Sequence, residues 1–339
     1  MAYVIRPAEV SDLEAFESLI AQARAGITSL AIDRDTLRER IDESLLSFST
    51  DVRQAADERY FFALADSASG QVAGMCAIRA AVGLKEAFYS YRVGTVVHAS
   101  KELGVHRALP ALYLSNDYTG CSELTSLFLG PEHRGKKLGA LLSKSRLLFI
   151  AEFPERFSDK VIAEIRGLSD ETGRSPFWDG LGQHFFVMDF PTADHLVGAG
   201  NKSFIAELMP KHPIYVVLLP ESAQAAIGQP HENSRQALRL LEDEGFRYEG
   251  YIDIFDGGPT VECRLEAIRA VRESRRLEAR VRSLQNPGVR CIVSNTRIHD
   301  FRCALADVAF DDEDAVLLDE DAARALRISE GEPVRVLES

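Results

Sequence analysis

A chain of 339 residues exceeds the usual size of a single hydrophobic core, so two or three packed units are expected. With 46% hydrophobic and 27% charged residues it is neither a disordered nor a fibrous sequence; it has no run of about 18 apolar residues and no cationic leader in Met1 to Pro7, so a cytoplasmic protein is expected. A formal net charge of -13 opposes non-specific attraction to nucleic acid or anionic lipid, so an anionic ligand must be met by a local cluster of donors.

The opening IRPAEVSDLEAFESLI reads as a short strand and then a helix, with Ser11 and Glu14 at capping-box spacing and Leu13, Phe16 and Ile20 on one face. A second helix, rich in Arg and Glu, runs from Asp35 to about Ser49. YFFALAD and VAGMCAI flank the turn SASG at 67–70 and form a hairpin. Two more strand-like runs, YSYRVGTVVHAS and ALPALYLSND, fall between Ala87 and Tyr118. The β-branched, apolar run CSELTSLFL is a buried strand ended by Gly130 and Pro131. An amphipathic helix then begins near Arg134, with Leu138, Leu141, Leu142, Leu148 and Phe149 on its apolar positions and Lys137, Lys144 and Arg146 elsewhere around the wheel. VIAEIRG at 161–167 is a strand, and SPFWDGLG at 175–182 a short helix closed by glycine.

A second cycle follows: FIAELMP and PIYVVLLP are apolar segments, and a helix from about Ser234 to Glu244 is capped by Asn233 and Gln236 and ended by Gly245. Strand-like YEGYIDIF leads to the turn Gly257, Gly258, Pro259. Arg264 to Leu284 carries Arg and Glu at helical spacing, QNPG at 285–288 marks a domain boundary, and the tail has the short strands and small helix of a little β-barrel with a structural role. The five cysteines, Cys76, Cys121, Cys263, Cys291 and Cys303, are odd in number and lack CxxC spacing, so reduced, buried thiols are expected rather than a disulfide framework or a zinc site.

Where CSELTSLFL runs into LGPEHRGKKLGALL, the backbone N–H groups of a turn meet the positive end of a helix dipole, a place that suits a phosphate. Arg134, Lys136 and Lys137 add the positive charge an acidic chain needs there, and the strand can pair with an extended ligand through its backbone. Coenzyme A, a pyrophosphate joined to an amide-bearing pantetheine arm, matches both halves; the plainer alternative is a set of solvated basic residues in a first helical turn. RGKKLG resembles the pyrophosphate loop of the GNAT superfamily of N-acyltransferases, Arg/Gln-x-x-Gly-x-Gly/Ala, with Arg134 and Gly139 in place and Lys137 where the first glycine is usual. IRPAEVSDLEAF, VAGMCAI and SPFWDGLG follow that superfamily's order. Trp178 stands where many members carry the tyrosine that protonates the leaving thiolate, which an indole cannot do.

LYLSNDYTGCSELTSLFL, LLSKSR, SPFWDGLG, FIAELMPKHPIY and EGFRYEGYIDIFDGGPTVEC resemble, across nearly the whole chain, the arginine N-succinyltransferase family. The resemblance implies an α/β (α+β) sheet of the GNAT-like acyl-CoA N-acyltransferase type. Residues 1–195 would bind acyl-CoA, 196–287 would be a second, related half carrying the catalytic histidine, and 288–339 a small β-rich appendix. It implies succinyl transfer from succinyl-CoA, a co-substrate with no permanently bound cofactor or metal, to the α-amino group of L-arginine in arginine catabolism, with L-ornithine accepted by some members. It further implies that His231, in the IGxxH pattern of AIGQPHENS, is the proton donor and that Leu127 contacts succinyl-CoA, with Leu129, Arg134, Lys137 and Gly139 completing the coenzyme site. From the residues alone, His231 reads equally as a surface-loop histidine with a pKa near ~6.5; His98, His106 and His184 are reserves, and no pair has the HExxH spacing of a metal site.

Attack of an amine on a thioester needs proximity, a donor for the oxyanion and proton transfers. A guanidinium is best held by carboxylates, for which Glu123, Glu207, Asp253 and Asp256 are candidates, each also readable as a solvated or capping acid; Lys211, Lys202 and Arg92 are candidates for the succinyl carboxylate. The open alternatives are an ornithine-preferring or other acyl-CoA N-acyltransferase and a weakly active subunit of a heteromeric succinyltransferase. A homo-oligomer, or a hetero-oligomer with a paralogous subunit, is expected.

Overall fold

Fifteen strands hydrogen-bond into one continuous sheet in a computed structural model that describes residues 3–22, 33–198, 207–284, 288–311 and 314–339. Lys202, the first part of FIAELMP (204–206) and most of QNPG (285–287) lie outside the described residues. At the centre, β1 (Tyr3–Pro7), β2 (Arg59–Asp66), β3 (Val72–Arg79), β6 (Ser122–Leu129), β7 (Lys160–Glu164), β10 (Pro259–Arg264) and β9 (Arg247–Ile252) lie side by side in that order. A long hairpin, β4 (Ser90–Ser100) and β5 (Val105–Ser115), extends the sheet beyond β9, and the short β8 (Ile214–Tyr215) pairs with β5. The strands expected of a second half thus hydrogen-bond into the same sheet as those of the first.

Helices α1 (Leu13–Gln22) and α2 (Arg34–Ser49) pack Phe16, Leu19, Leu37 and Ile41 against Phe61, Ala63 and Met75 of the β2–β3 hairpin. The capping box ahead of α1 is formed by Glu9 and Asp12 rather than Ser11 and Glu14. The chain enters through a tight turn at Val10–Asp12, where the Asp12 carboxylate accepts from Glu9 N at 2.8 Å and from both terminal nitrogens of Arg6 at 2.7 Å. The SPFWDGLG segment is not closed by its last glycine: a wide π-helical turn, Trp178–Gly182, continues into Gln183–Phe186. The Trp178 ring lies 2.3 Å from where a Cβ on Gly182 would stand, so only glycine fits. PIYVVLLP forms only the two residues of β8 and a short turn, Val216–Leu218.

The C-terminal strands β11 (Arg275–Val281), β12 (Val289–Asn295), β13 (Cys303–Asp311), β14 (Ala315–Leu318) and β15 (Pro333–Glu338) pair in the order β12-β15-β11-β14-β13, and β12 pairs again with β13, closing a five-stranded barrel. The helix expected over 264–284 is instead a short helix, Arg269–Glu273, followed by β11. Leu277 and Ala279 point into the barrel core while Arg276 and Glu278 face solvent, so a period of two prevails over an Arg- and Glu-rich composition.

The helix after β6, α3 (Leu138–Glu152), starts four residues later than expected, because Gly135 and Lys137 take left-handed φ values of +83° and +60° that a right-handed helix cannot continue. It is also not amphipathic. The sheet covers one side, and the barrel strands β12, β13 and β15 with the helices Arg235–Asp243 and Arg269–Glu273 cover much of the rest, so most of its residues are buried.

Candidate active site

Strands β6 and β7 run parallel but pair only at Ser122 with Val161 and Glu123 with Ile162; beyond these residues they splay apart. β6 also bends. Its register against β3 shifts between Met75 and Ala77, and Ser126 adopts φ +54°, a bulge that turns the strand's backbone at its midpoint. Between the diverging strands lies a cleft of about 160 Å³, many times the roughly 10–15 Å³ that one water occupies. One wall is β6 from Glu123 to Leu127 with Ser143 and Arg146 of α3; the other is Ala163 to Arg166, Ser234, Ala237 and Leu241, closed by Asp253 and Asp256 after β9. The facing edges of two splayed strands offer N–H and C=O groups to an extended, amide-bearing ligand.

Directly above β6 stands the turn that leads to α3. Lys137 precedes the helix with no side-chain cap, and Arg134, Lys136 and Lys137 are exposed, so the first N–H groups of the helix are flanked by cations. The left-handed φ of Lys137 is the conformation a glycine there would adopt most easily. The departure from the glycine pattern therefore changes the side chain and leaves the turn's shape. Nothing lies within 4 Å of the position a Cβ on Gly139 would take, so this glycine relieves no internal clash. Leu127 lines the cleft, whereas Leu129 pairs with Gly74 and packs on the core instead.

The second wall is assembled from distant segments. The backbone N of His231 donates to the carbonyl of Arg166 at 2.8 Å, and Pro230 bridges to Gly167, so the histidine segment is fastened to the end of β7. His231, rather than Asn233, caps the turn Glu232–Ser234: its Nδ1 accepts from Asn233 N at 3.1 Å, which leaves the neutral ring's proton on Nε2. Ser234, three residues on, lines the cleft; His231 itself is not among the residues that line it. Asp253 Oδ1 accepts from Phe255 N at 2.7 Å and Asp256 N at 2.9 Å. Asp256 accepts from Gly167 N at 2.6 Å and Gly258 N at 2.8 Å, bracing the loop against β7. The helix Arg235–Asp243 is held against α3 by the fully buried Glu244, which meets Arg269 Nη2 at 2.7 Å and Lys144 Nζ at 3.3 Å.

Of the candidate carboxylates, Glu123, Asp253 and Asp256 come together in the cleft. Glu123 is buried and meets Arg79 Nη1 at 3.4 Å. Glu207, Lys211 and Arg92 are exposed and do not line it, nor do the exposed His98, His106 and His184. Trp178 is a core residue, stacked on Phe186 and Phe255, with Nε1 donating to Met188 O at 3.0 Å. All five cysteines are buried and unbridged, and burial pushes the thiols of Cys76, Cys121 and Cys291 up to about 11, which leaves them poor nucleophiles near neutrality. No helix among the described residues is long and apolar enough to cross a membrane.

Sequence reasoning missed two features. The Ser126 bulge leaves no signature in CSELTSLFL. Arg146, assigned to the polar part of a helical wheel, is 2% exposed; Nη1 donates to Thr125 O and Nε to Ser143 O, both at 3.4 Å, and burial lowers its pKa.

The chain matches the family model for the arginine N-succinyltransferase beta subunit over residues 3–270, and that for the beta subunit's C-terminal domain over residues 275–338. It is 50% identical over 338 residues to arginine N-succinyltransferase of Citrobacter koseri, covering 98% of this chain and 97% of that one. A protein of the same name from Escherichia coli is 50% identical over 337 residues, with the same coverage. The solved structure of arginine/ornithine succinyltransferase subunit AI from Pseudomonas aeruginosa is similar with a TM-score of 0.92 and 40% identity, over 99% of this chain and 98% of that one.

Proposed function

The chain belongs to the arginine N-succinyltransferase family, and on that premise we propose that it transfers the succinyl group of succinyl-CoA to the α-amino group of L-arginine, giving N2-succinylarginine and coenzyme A. The protein is an acyltransferase with the mixed α/β acyl-CoA N-acyltransferase fold. The observation that carries the reading is the splayed, bulged gap between β6 and β7 beneath an open, cation-flanked helix terminus.

The pyrophosphate sits at the N–H groups that begin α3, with Arg134, Lys136 and Lys137 beside it and Gly139 in the first turn. The pantetheine amides pair along β6 past Leu129 and Leu127, and the thioester lies at the Ser126 bulge. The neutral amine attacks the thioester carbon, the C–N bond forms and the C–S bond breaks; the nitrogen loses a proton and the thiolate gains one. His231 moves that proton through Nε2, consistent with Nδ1 being held by Asn233 N. A thiol with a pKa near ~8.5 leaves readily, so this assistance is worth about 10² to 10⁴ in rate. Glu123, Asp253 and Asp256 give the cleft the negative charge that suits the acceptor's guanidinium. The enzyme works in the cytoplasm, as an oligomer.

Ornithine is a second acceptor on the strength of the Pseudomonas relative, which is named for both amino acids. Thiol release by the purified chain, compared for succinyl-CoA and acetyl-CoA with arginine, ornithine and lysine, tests the reading. Release is expected with succinyl-CoA and fastest with arginine. No release with succinyl-CoA and any acceptor would overturn it; activity only on adding a paralogous subunit would assign the chain to a heteromer.

A further inference from the structure

A guanidinium carries five N–H donors in a planar fork and keeps its charge at any physiological pH. Arg146 projects this group from α3 into the wall of the cleft, where it is 2% exposed. Its two hydrogen bonds, to Thr125 O and Ser143 O, are each 3.4 Å long, well beyond the ~2.7–2.9 Å of a charge-assisted bond. No ion pair involves it among the described residues, and the titratable group that bears on it is the buried Cys76 thiol, not a carboxylate. Arg156, buried after the same helix, is different: three acceptors, Thr50 O, Tyr60 Oη and Ser47 O, lie at 2.9 to 3.3 Å, and it does not line the cleft.

A buried charge without a counter-charge is strongly unfavourable, and a fold retains one most readily where a ligand supplies the missing partner. The free carboxylate of a succinyl thioester is two methylenes from the thioester carbon, so its receptor must stand beside the reaction point and not along the pantetheine arm. Arg146 bonds the carbonyl of Thr125, the residue immediately before the Ser126 bulge.

We propose that Arg146 receives the free carboxylate of the acyl group, as a forked pair of N–H donors, and so makes the site selective for short dicarboxylic acyl thioesters. The assignment rests on the acyl-transfer reading above, which supplies the acyl group and its position. Lys211, Lys202 and Arg92 are then not needed for this role. A monocarboxylic acyl group of equal length leaves the guanidinium buried and unpaired, which is the most effective way for a site to reject an analogue.

The test is kcat/KM for succinyl-CoA and for butyryl-CoA at saturating arginine, in the full chain and its Arg146→Lys and Arg146→Met variants, with far-UV circular dichroism and the melting temperature confirming the fold. The ratio of the two donors is expected to fall by roughly 10²-fold in Arg146→Met, through loss of hydrogen bonds to a charged group. It should fall by an intermediate amount in Arg146→Lys, which keeps the charge and loses the fork. An unchanged ratio in a folded variant, or an equal loss for both donors, overturns the proposal. So does a fall confined to Arg166→Met, the other arginine lining the cleft. If Arg146→Met does not fold, the Arg146→Lys ratio decides. Absence of turnover by the unsubstituted chain with succinyl-CoA is a different result, and sinks the acyl-transfer reading itself.

Discussion

The two walls of the cleft are built in opposite ways. The wall formed by β6 and α3 is one unbroken stretch of sequence, and what it would offer the proposed coenzyme is mostly backbone: a bulge, a strand edge and the first turn of a helix. The wall formed by β7, the His231 turn and the Asp253–Asp256 loop is gathered from three separate stretches, tied by hydrogen bonds such as His231 N to Arg166 O at 2.8 Å and Gly167 N to Asp256 at 2.6 Å. A ligand's generic part can be held by backbone that many sequences supply; the reacting part needs particular side chains brought from afar. Substitutions at the exposed turn positions of the first wall should therefore be tolerated, and those on the second wall, like those at the buried Arg146, should be damaging.

The sharpest way to break that contrast is His231→Ala. We expect kcat to fall about 10² to 10⁴-fold, read from steady-state thiol release, in a variant that still folds and loses only the stability of the lost cap; an unchanged kcat would remove the chemistry from the second wall. Asp256→Ala comes next. It leaves the amides of Gly167 and Gly258 without their acceptor, which should cost about 1–3 kcal/mol of unfolding free energy in a urea titration. A loss under about 0.5 kcal/mol would mean the loop is held by other contacts. The smallest effect is expected at Lys137→Gly on the first wall. Releasing a left-handed lysine should stabilise the chain by at most about 1–2 kcal/mol, while losing one exposed cation raises KM for succinyl-CoA less than about fivefold. A much larger rise would show that side-chain charge, and not backbone, holds the pyrophosphate.

The same contrast governs what the sequence disclosed. Local patterns sufficed for α1, α2, the β2–β3 hairpin and the β6 strand, because each is fixed by neighbours a few residues away. They failed at the start of α3, where Lys137 shows its left-handed turn only in the backbone. They failed at β11, where Arg and Glu suggested a helix and closure of the barrel imposed a strand. Arg146 looked like a polar wheel position since nothing in 138–152 announces that its side chain will lie against β6, where Thr125 O takes its bond. His231 was visible through the IGxxH resemblance, and the fastening of its segment depends on the carbonyl of Arg166, just past β7 and far earlier in the chain. Glu207, equally plausible on paper, ends exposed and outside the cleft.

The barrel touches the central sheet where β13 pairs with β1, Val4 opposite Ala304 and Ile5 opposite Cys303, and Arg335 reaches across to Glu152 at 2.8 Å. Were it removed, β1 would become an open margin with unsatisfied N–H and C=O groups flanked by apolar side chains, a template on which a second molecule could add its own strand. The small C-terminal unit thus covers a sheet margin, so its loss would open β1 to strand addition, a different kind of contact from the subunit interfaces of an oligomer.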